Sequence, residues 1–211
     1  VPVGFYTQVL GLGAHPSDVV FTSDKGVYSE EGNFYYKVGA LNSFWRSAEN
    51  FRTRASHVWM HKKPRPHFMP PFPGSSDVSA GMIWAVSQAA PLRSVIVDND
   101  LILFEANPMP GRASGGFMGN VRVEGEVDVG SQQQWITRNS DLRRGWTNGN
   151  WNMVFVGTTG GQDRQQSASA PWFFEHGKCG NLARPFLFID ETPLIAEKPF
   201  VRIDPTGAYR L

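Results

Sequence analysis

The chain has 211 residues, 18% of them charged, with 20 Lys and Arg against 19 Asp and Glu. A formal net charge of +1 gives no global electrostatic case for a nucleic acid or an acidic membrane surface. No run of about 18 apolar residues is present to cross a bilayer as a helix, and Cys179, the single cysteine, excludes an intrachain disulfide and a thiolate metal cluster.

This length fits one medium domain with a substantial core. The 22 Gly, 15 Pro, 7 Trp and 15 Phe, with no apolar stripe of helical period, predict an all-β chain with many turns. In chain order, Phe5–Gly13 reads as a strand entering a glycine turn, and Val19–Thr22 as a second strand. The range 26–39 reads as a loop or hairpin excursion. Ser43–Thr53 reads as strand, corner at Asn50, strand. The range 54–81 differs in kind: His57, His61 and His67, three basic residues and five prolines between Pro64 and Pro73 argue against ladder or helix and for a long insertion. Strands are then expected at 82–87, 93–97 and 101–105. From Val121 to Val129 apolar and polar residues alternate, as in a half-buried strand. Strands follow at 134–137 and 153–156. The range 159–170 reads as linker, and strands at 185–189, 199–203 and 208–211 as a terminal appendage. The last of these reads as half a hairpin whose partner strand is missing.

A repeat underlies these elements. Setting Phe51, Val95, Val121, Ser140 and Thr158 in one column places Asn50, Ser94, Asn120, Asn139 and Gly157 just before them, the last three intervals being 26, 19 and 18 residues. Coils of a right-handed parallel β-helix have this order of length, and stacked coils set like residues over like. An Asn at each corner would bond the backbone of a neighbouring coil. The rival architecture is a β-sandwich or jelly roll with the same strand count. The range 1–158 is read as coils carrying the insertion at 54–81, and 159–211 as linker and C-terminal β appendage.

Two constellations carry candidate chemistry. Glu124, Glu126 and Asp128 stand at i, i+2 and i+4, which on one strand share a face. With Glu105 they supply candidate acids for glycoside cleavage, the catalytic set being Glu124, Glu126 and Glu105. The alternative for the acidic row is an ordinary solvated strand face. The second constellation is Gln132, Gln133, Gln134, Trp135, Arg138, Arg143, Trp146, Asn148, Asn150 and Trp151, aromatic platforms among planar hydrogen-bonding groups that suit sugars. Gln133, Trp135, Arg138, Trp146, Asn148 and Trp151 are taken as substrate-binding. Strict alternation would put Gln132 and Gln134 opposite Gln133 and Trp135. The alternative is core tryptophans with amide ladders between coils. His57, His61 and His67 are read as a solvated loop rather than a zinc site, and the pair His176 and Cys179 lacks the third member of a nucleophilic triad. No metal and no cofactor are expected, and Gly11-Leu-Gly13 is read as only a turn.

Several phrases carry a resemblance. Val3-Gly-Phe-Tyr-Thr-Gln-Val-Leu-Gly-Leu-Gly13, Asn42-Ser-Phe-Trp-Arg-Ser47, Trp84-Ala-Val-Ser-Gln-Ala-Ala-Pro91, Ala113-Ser-Gly-Gly-Phe117, Ser131-Gln-Gln-Gln-Trp135, Gly149-Asn-Trp-Asn-Met-Val-Phe155 and Thr192-Pro-Leu-Ile-Ala-Glu-Lys-Pro199 span nearly the whole chain. They resemble extracellular microbial proteins with a pectate-lyase-like right-handed parallel β-helix, often labelled adenylyl cyclases. The sequence shows no paired metal-binding aspartates on adjacent strands and no phosphate-binding glycine loop, so that label does not carry over. More distantly, the chain resembles the two-β-helix laminarinases, which are exo-acting β-1,3-glucanases. The resemblance implies coils before Val3 and sequence beyond Leu211, and the insertion departs from its pattern. The chain is therefore expected to be a secreted, extracellular glycoside hydrolase acting on a polysaccharide of the β-1,3-glucan kind by carboxylate general acid catalysis. The alternative is a non-catalytic β-helix for carbohydrate binding or surface assembly. The expected partners are a polysaccharide or oligosaccharide and, beside it, a second chain or missing segments of one precursor, with no nucleic acid and no membrane.

Overall fold

The computed structural model describes residues 1–29, 40–60, 78–105, 113–130, 132–148, 153–160, 186–194 and 196–211. Twenty short strands carry the described chain: β1 (Pro2–Val3), β2 (Gln8–Leu10), β3 (Val20–Phe21), β4 (Tyr28–Ser29), β5 (Ser47–Thr53), β6 (Val58–Met60), β7 (Ser79–Ile83), β8 (Leu92–Val97), β9 (Asp100–Ile102), β10 (Ala113–Gly119), β11 (Arg122–Val123), β12 (Val127–Gly130), β13 (Gln132–Arg138), β14 (Asp141–Leu142), β15 (Trp146–Asn148), β16 (Met153–Val156), β17 (Thr159–Gly160), β18 (Phe186–Ile189), β19 (Arg202–Ile203) and β20 (Tyr209–Arg210). Helical structure among the described residues is limited to 3-10 turns at Pro16–Asp18 and Ala40–Asn42.

Most of these strands stack into three parallel walls, with β1–β4 and β19–β20 as separate pairs. The first runs β2–β5–β8–β10–β13–β16–β18. The second runs β3–β5–β8–β11–β14–β17, with β5 and β8 passing through the corner between the two walls. The third runs β7–β9–β12–β15, with β6 antiparallel on its edge. The chain visits the walls in turn and returns one layer further on. A sandwich or jelly roll is built from antiparallel neighbours. Here β6–β7 and β19–β20 are the antiparallel pairs among the described strands.

Corners set the repeat. Asn50, Ser94, Asn120, Asn139 and Gly157 all have positive φ, between 48° and 60°. A left-handed residue turns the strand from the first wall into the second, and Asn and Gly tolerate that conformation best. Asn50 Nδ2 donates to the carbonyls of Gly11 and Gly13 at 2.7 and 2.8 Å, so the corner amide bonds the preceding layer. The Asn139 amide donates to Asn120 Oδ1. Corner N–H groups also bond across layers: Asn120 to Arg138 O, Asn139 to Val156 O and Gly157 to Ile189 O.

A second column of left-handed residues lies at the start of the first wall. The ladder registers align Tyr6, Trp45, Ala89, Gly115 and Gln134, with φ of 54°, 46°, 57°, 85° and 55°. The expected alternation through 132–135 fails at this kink. Gln132 and Trp135 are both buried, Gln133 is half-buried and Gln134 is exposed.

Between the walls lies the main core, including Phe51, Met82, Trp84, Leu92, Leu101, Val123, Val127, Trp135 and Leu142. A second cluster, with Ile83, Ile102 and Phe104, packs on the outer side of the third wall against Tyr28 and Trp59. Two expectations change. The range 54–81 does form ladder at its ends, in β6 and the start of β7, because its prolines all lie between 64 and 73; the range 61–77 lies outside the described residues. The stack also continues past residue 158, since β18 adds to β16 in parallel register. The strand at 208–211 is half of a hairpin whose other half is β19. In that hairpin Asp204 accepts from Thr206 Oγ1, then from the Ala208 and Thr206 N–H groups and Arg210. These bonds, that from Thr206 Oγ1 the largest, hold its carboxyl down at about 2.

Candidate functional site

The nominated acids do not share a strand. A corner at 124–126 divides β11 on the second wall from β12 on the third. Glu124 N–H donates to Val97 O and Gly125 N–H to Asn99 O, and Glu126 N–H donates to Asp100 Oδ1 at 2.9 Å. Glu124 stays at the surface with Oε1 2.5 Å from Arg122 Nη2. Glu126 and Asp128 are buried, 5% and 0% exposed. Val127 and Val129 point into the main core, so Asp128 projects from the outer side of β12, where Ser79 Oγ donates to it at 2.7 Å. The single-face reading of the acidic row is thus corrected: alternation holds within a strand and is reset by the corner. Glu105, 4% exposed, follows β9, which pairs directly with β12, so it lies in the layer next to this corner.

The amide and tryptophan set also divides. Trp135 and Trp146 are core residues, 2% and 6% exposed. Trp146 stacks on Phe155 at 4.7 Å between ring centres, and Phe155 on Phe188 at 5.1 Å. The cavity beside them, about 40 Å³ and lined in part by Leu142, Trp146, Phe155 and Phe188, has room for a few waters and none for a pyranose ring. Gln132 is a buried brace, its Nε2 donating to Val86 O and Leu103 O at 2.9 and 3.0 Å. Gln133 donates its N–H to Gln132 Oε1. Asn148 aligns with Gly130 in the third wall, and Trp151 lies outside the described residues. Among the described side chains of this set, Trp135, Trp146 and Gln132 are buried and so do not form one open surface.

Arg138 does mark a second feature. Its Nη2 lies 2.7 Å from Glu197 Oε2, and Lys198 Nζ lies 2.7 Å from Glu49 Oε1. Two adjacent residues of the C-terminal segment thus strap it across the outer side of the first wall. Beneath the strap, Phe117 lies between the guanidinium groups of Arg93 and Arg138, at 4.4 and 5.7 Å. Of the histidines, His57 Nδ1 lies 2.7 Å from Asp24 Oδ2, and this hydrogen bond holds the Asp24 carboxyl below its ordinary value. His61, His67, His176 and Cys179 lie outside the described residues. Among the described residues, no group of three His, Cys, Asp or Glu is placed to hold a metal ion.

A cluster of exposed aromatic side chains lies outside the residues that the sequence nominates. Tyr6 is 79%, Trp45 53% and Phe5 48% exposed, and they form one aromatic ledge at the start of the first wall. No local pattern marks them, because an exposed aromatic and a core aromatic look alike in a strand-rich sequence.

These features define a class: an all-β chain of stacked parallel strands, turned by left-handed corners. Comparison with known proteins narrows it. No family model matches the chain. The chain is similar to an exo-β-1,3-glucanase of Streptomyces sp. (strain SirexAA-E / ActE), 36% identical over 202 residues, which are 96% of this chain and 26% of the relative. It superposes on the structure of sacteLam55A from Streptomyces sp. SirexAA-E with a TM-score of 0.67 and 32% identity, covering 99% of this chain and 30% of that one. A variant of the same enzyme in complex with glucose gives a TM-score of 0.66 at 33% identity, over 99% and 31% of the two chains. The chain spans about a quarter to a third of the length of these relatives.

Proposed function

We propose that the chain forms coils of a right-handed parallel β-helix in a secreted glycoside hydrolase that acts on β-1,3-glucan with a carboxylate as general acid. The observation that carries this reading is the 36% identity to an exo-β-1,3-glucanase over 96% of the chain. The glucose complex of the structural neighbour supports a sugar ligand, and the three-wall stack with its corner columns supports the helical coil. The carboxylates retained as candidate acids are Glu126 and Glu105, both held out of bulk water. A proton donor there meets less competition from solvent. Glu124 is the weakest of the three, because Arg122 engages it at the surface. A second reading, a non-catalytic glucan-binding stack, is favoured by that same burial of Glu105 and Glu126, since a general acid must reach the glycosidic oxygen.

The test is reducing-sugar release by the full-length protein from β-1,3-, β-1,4- and β-1,6-glucans. Release from the β-1,3-glucan is expected, and none from the others. Glu124→Gln is expected to keep the rate within about twofold, an exposed ion pair contributing little. A fall of about a hundredfold or more in Glu126→Gln or Glu105→Gln would place the acid on this chain. No release from any glucan, with the circular dichroism of a folded β protein, would favour the second reading.

A further inference from the structure

The left-handed column that begins at Tyr6 carries larger side chains than the fold requires. Beside Tyr6 and Trp45 its members are Ala89, Gly115 and Gln134, and the neighbouring column is filled by Asn, Ser and Gly. A bulky residue with positive φ is an outlier that persists where its surroundings over-determine it. Tyr6 and Trp45 have φ of 54° and 46°, and at 79% and 53% exposure burial does little to offset that strain. Their rings stack on each other, 5.4 Å apart at 20°. Phe5 meets Trp45 edge-on at 6.5 Å, and Phe44 lies 6.2 Å from it. The backbone beneath is fixed: Tyr6 N–H donates to Trp45 O at 2.7 Å. Arg46, 4% exposed, donates to the Val3 and Phe44 carbonyls and lies 5.2 Å from the Phe5 ring centre.

We infer that Phe5, Tyr6 and Trp45 form a binding platform for the pyranose rings of a β-glucan chain, on a different part of the stack from Glu105 and Glu126. The ligand class rests on the glucan reading above. A pyranose ring presents apolar C–H faces rimmed by hydroxyls, which suits a rigid aromatic surface with the Tyr6 hydroxyl at its margin. Aromatic side chains give such area at low cost in conformational entropy. Tyr6 and Trp45 stand on two successive layers with Phe5 beside Tyr6 on the first, so the ledge runs along the stacking axis, which suits a linear polymer. The cation beneath is buried and engaged by carbonyls, so the ledge presents no charge from Arg46 to an acidic protein partner.

The experiment compares the full-length protein with Trp45→Asn and Tyr6→Asn. It measures depletion onto insoluble β-1,3-glucan, melting temperature and oligomeric state. Asn accepts a left-handed backbone, so both variants are expected to melt within about 5 °C of the parent. Each is expected to bind the glucan about tenfold more weakly. Weaker glucan binding by both variants, with no sugar release by the parent, would support the platform while overturning the hydrolase reading. Variants that bind as tightly as the parent would overturn the platform whatever the hydrolysis. So would a large loss of melting temperature, which would make the ring a structural member. A change of oligomeric state without a change in glucan binding would make it a protein interface instead.

Discussion

Trp84→Ala is expected to lower stability by about 4 kcal/mol, and the melting temperature by roughly 10 °C. Trp84 is 0% exposed and sits in the main core between the walls. Its indole Nε1 donates to Ala90 O at 3.0 Å, so the ring also closes the connection that brings the chain from the third wall back to the first. Truncation removes the apolar contacts, leaves a cavity in a stack whose layers cannot collapse independently, and strips the Ala90 carbonyl of this donor. Thermal and denaturant unfolding followed by far-ultraviolet circular dichroism measure the loss. A shift under about 1 kcal/mol would mean that the core does not lie where these walls put it.

A single methyl group at Gly11 is expected to cost about 3 kcal/mol. A Cβ built there falls 1.7 Å from Asn50 O and 2.7 Å from Asn50 C. Both are backbone atoms of the next layer, so no side chain can swing aside. The layers cannot separate to make room, because Gly11 N–H donates to Glu49 O at 2.9 Å while Asn50 Nδ2 donates back to Gly11 O and Gly13 O. Gly11→Ala and Asn50→Ala should therefore couple strongly in a double-mutant cycle, since each disturbs the same rung. Additive losses would show that the corner amide and the close approach are independent.

The contrast between the two corner columns explains what the sequence revealed. Asn50, Asn120, Asn139 and Gly157 belong to residue types that favour left-handed backbone, so their spacing alone marked the repeat. Ser94 does not advertise the conformation by its residue type. The second column is built from Tyr6, Trp45, Ala89, Gly115 and Gln134, of which Gly115 alone advertises the conformation. Missing that column led to the wrong faces for Gln132 to Trp135. Gly125 misled the acidic row in the same way: it lies inside an alternating run and turns the chain between walls, so Glu124 and Glu126 part company. The strap was beyond any local reading. Glu197 and Lys198 find Arg138 and Glu49 across 59 and 149 residues of chain, and a charged pair of such separation leaves no mark on the composition of either segment.

The most direct test of the central claim, that this stack serves β-1,3-glucan recognition, is calorimetric titration of the full-length protein with a β-1,3-linked gluco-oligosaccharide and with its β-1,4-linked counterpart of equal length. Saturable binding of the first, with at least about tenfold weaker binding of the second, is the expected result. Equal affinity for both, or no heat from either with folded protein, would contradict it.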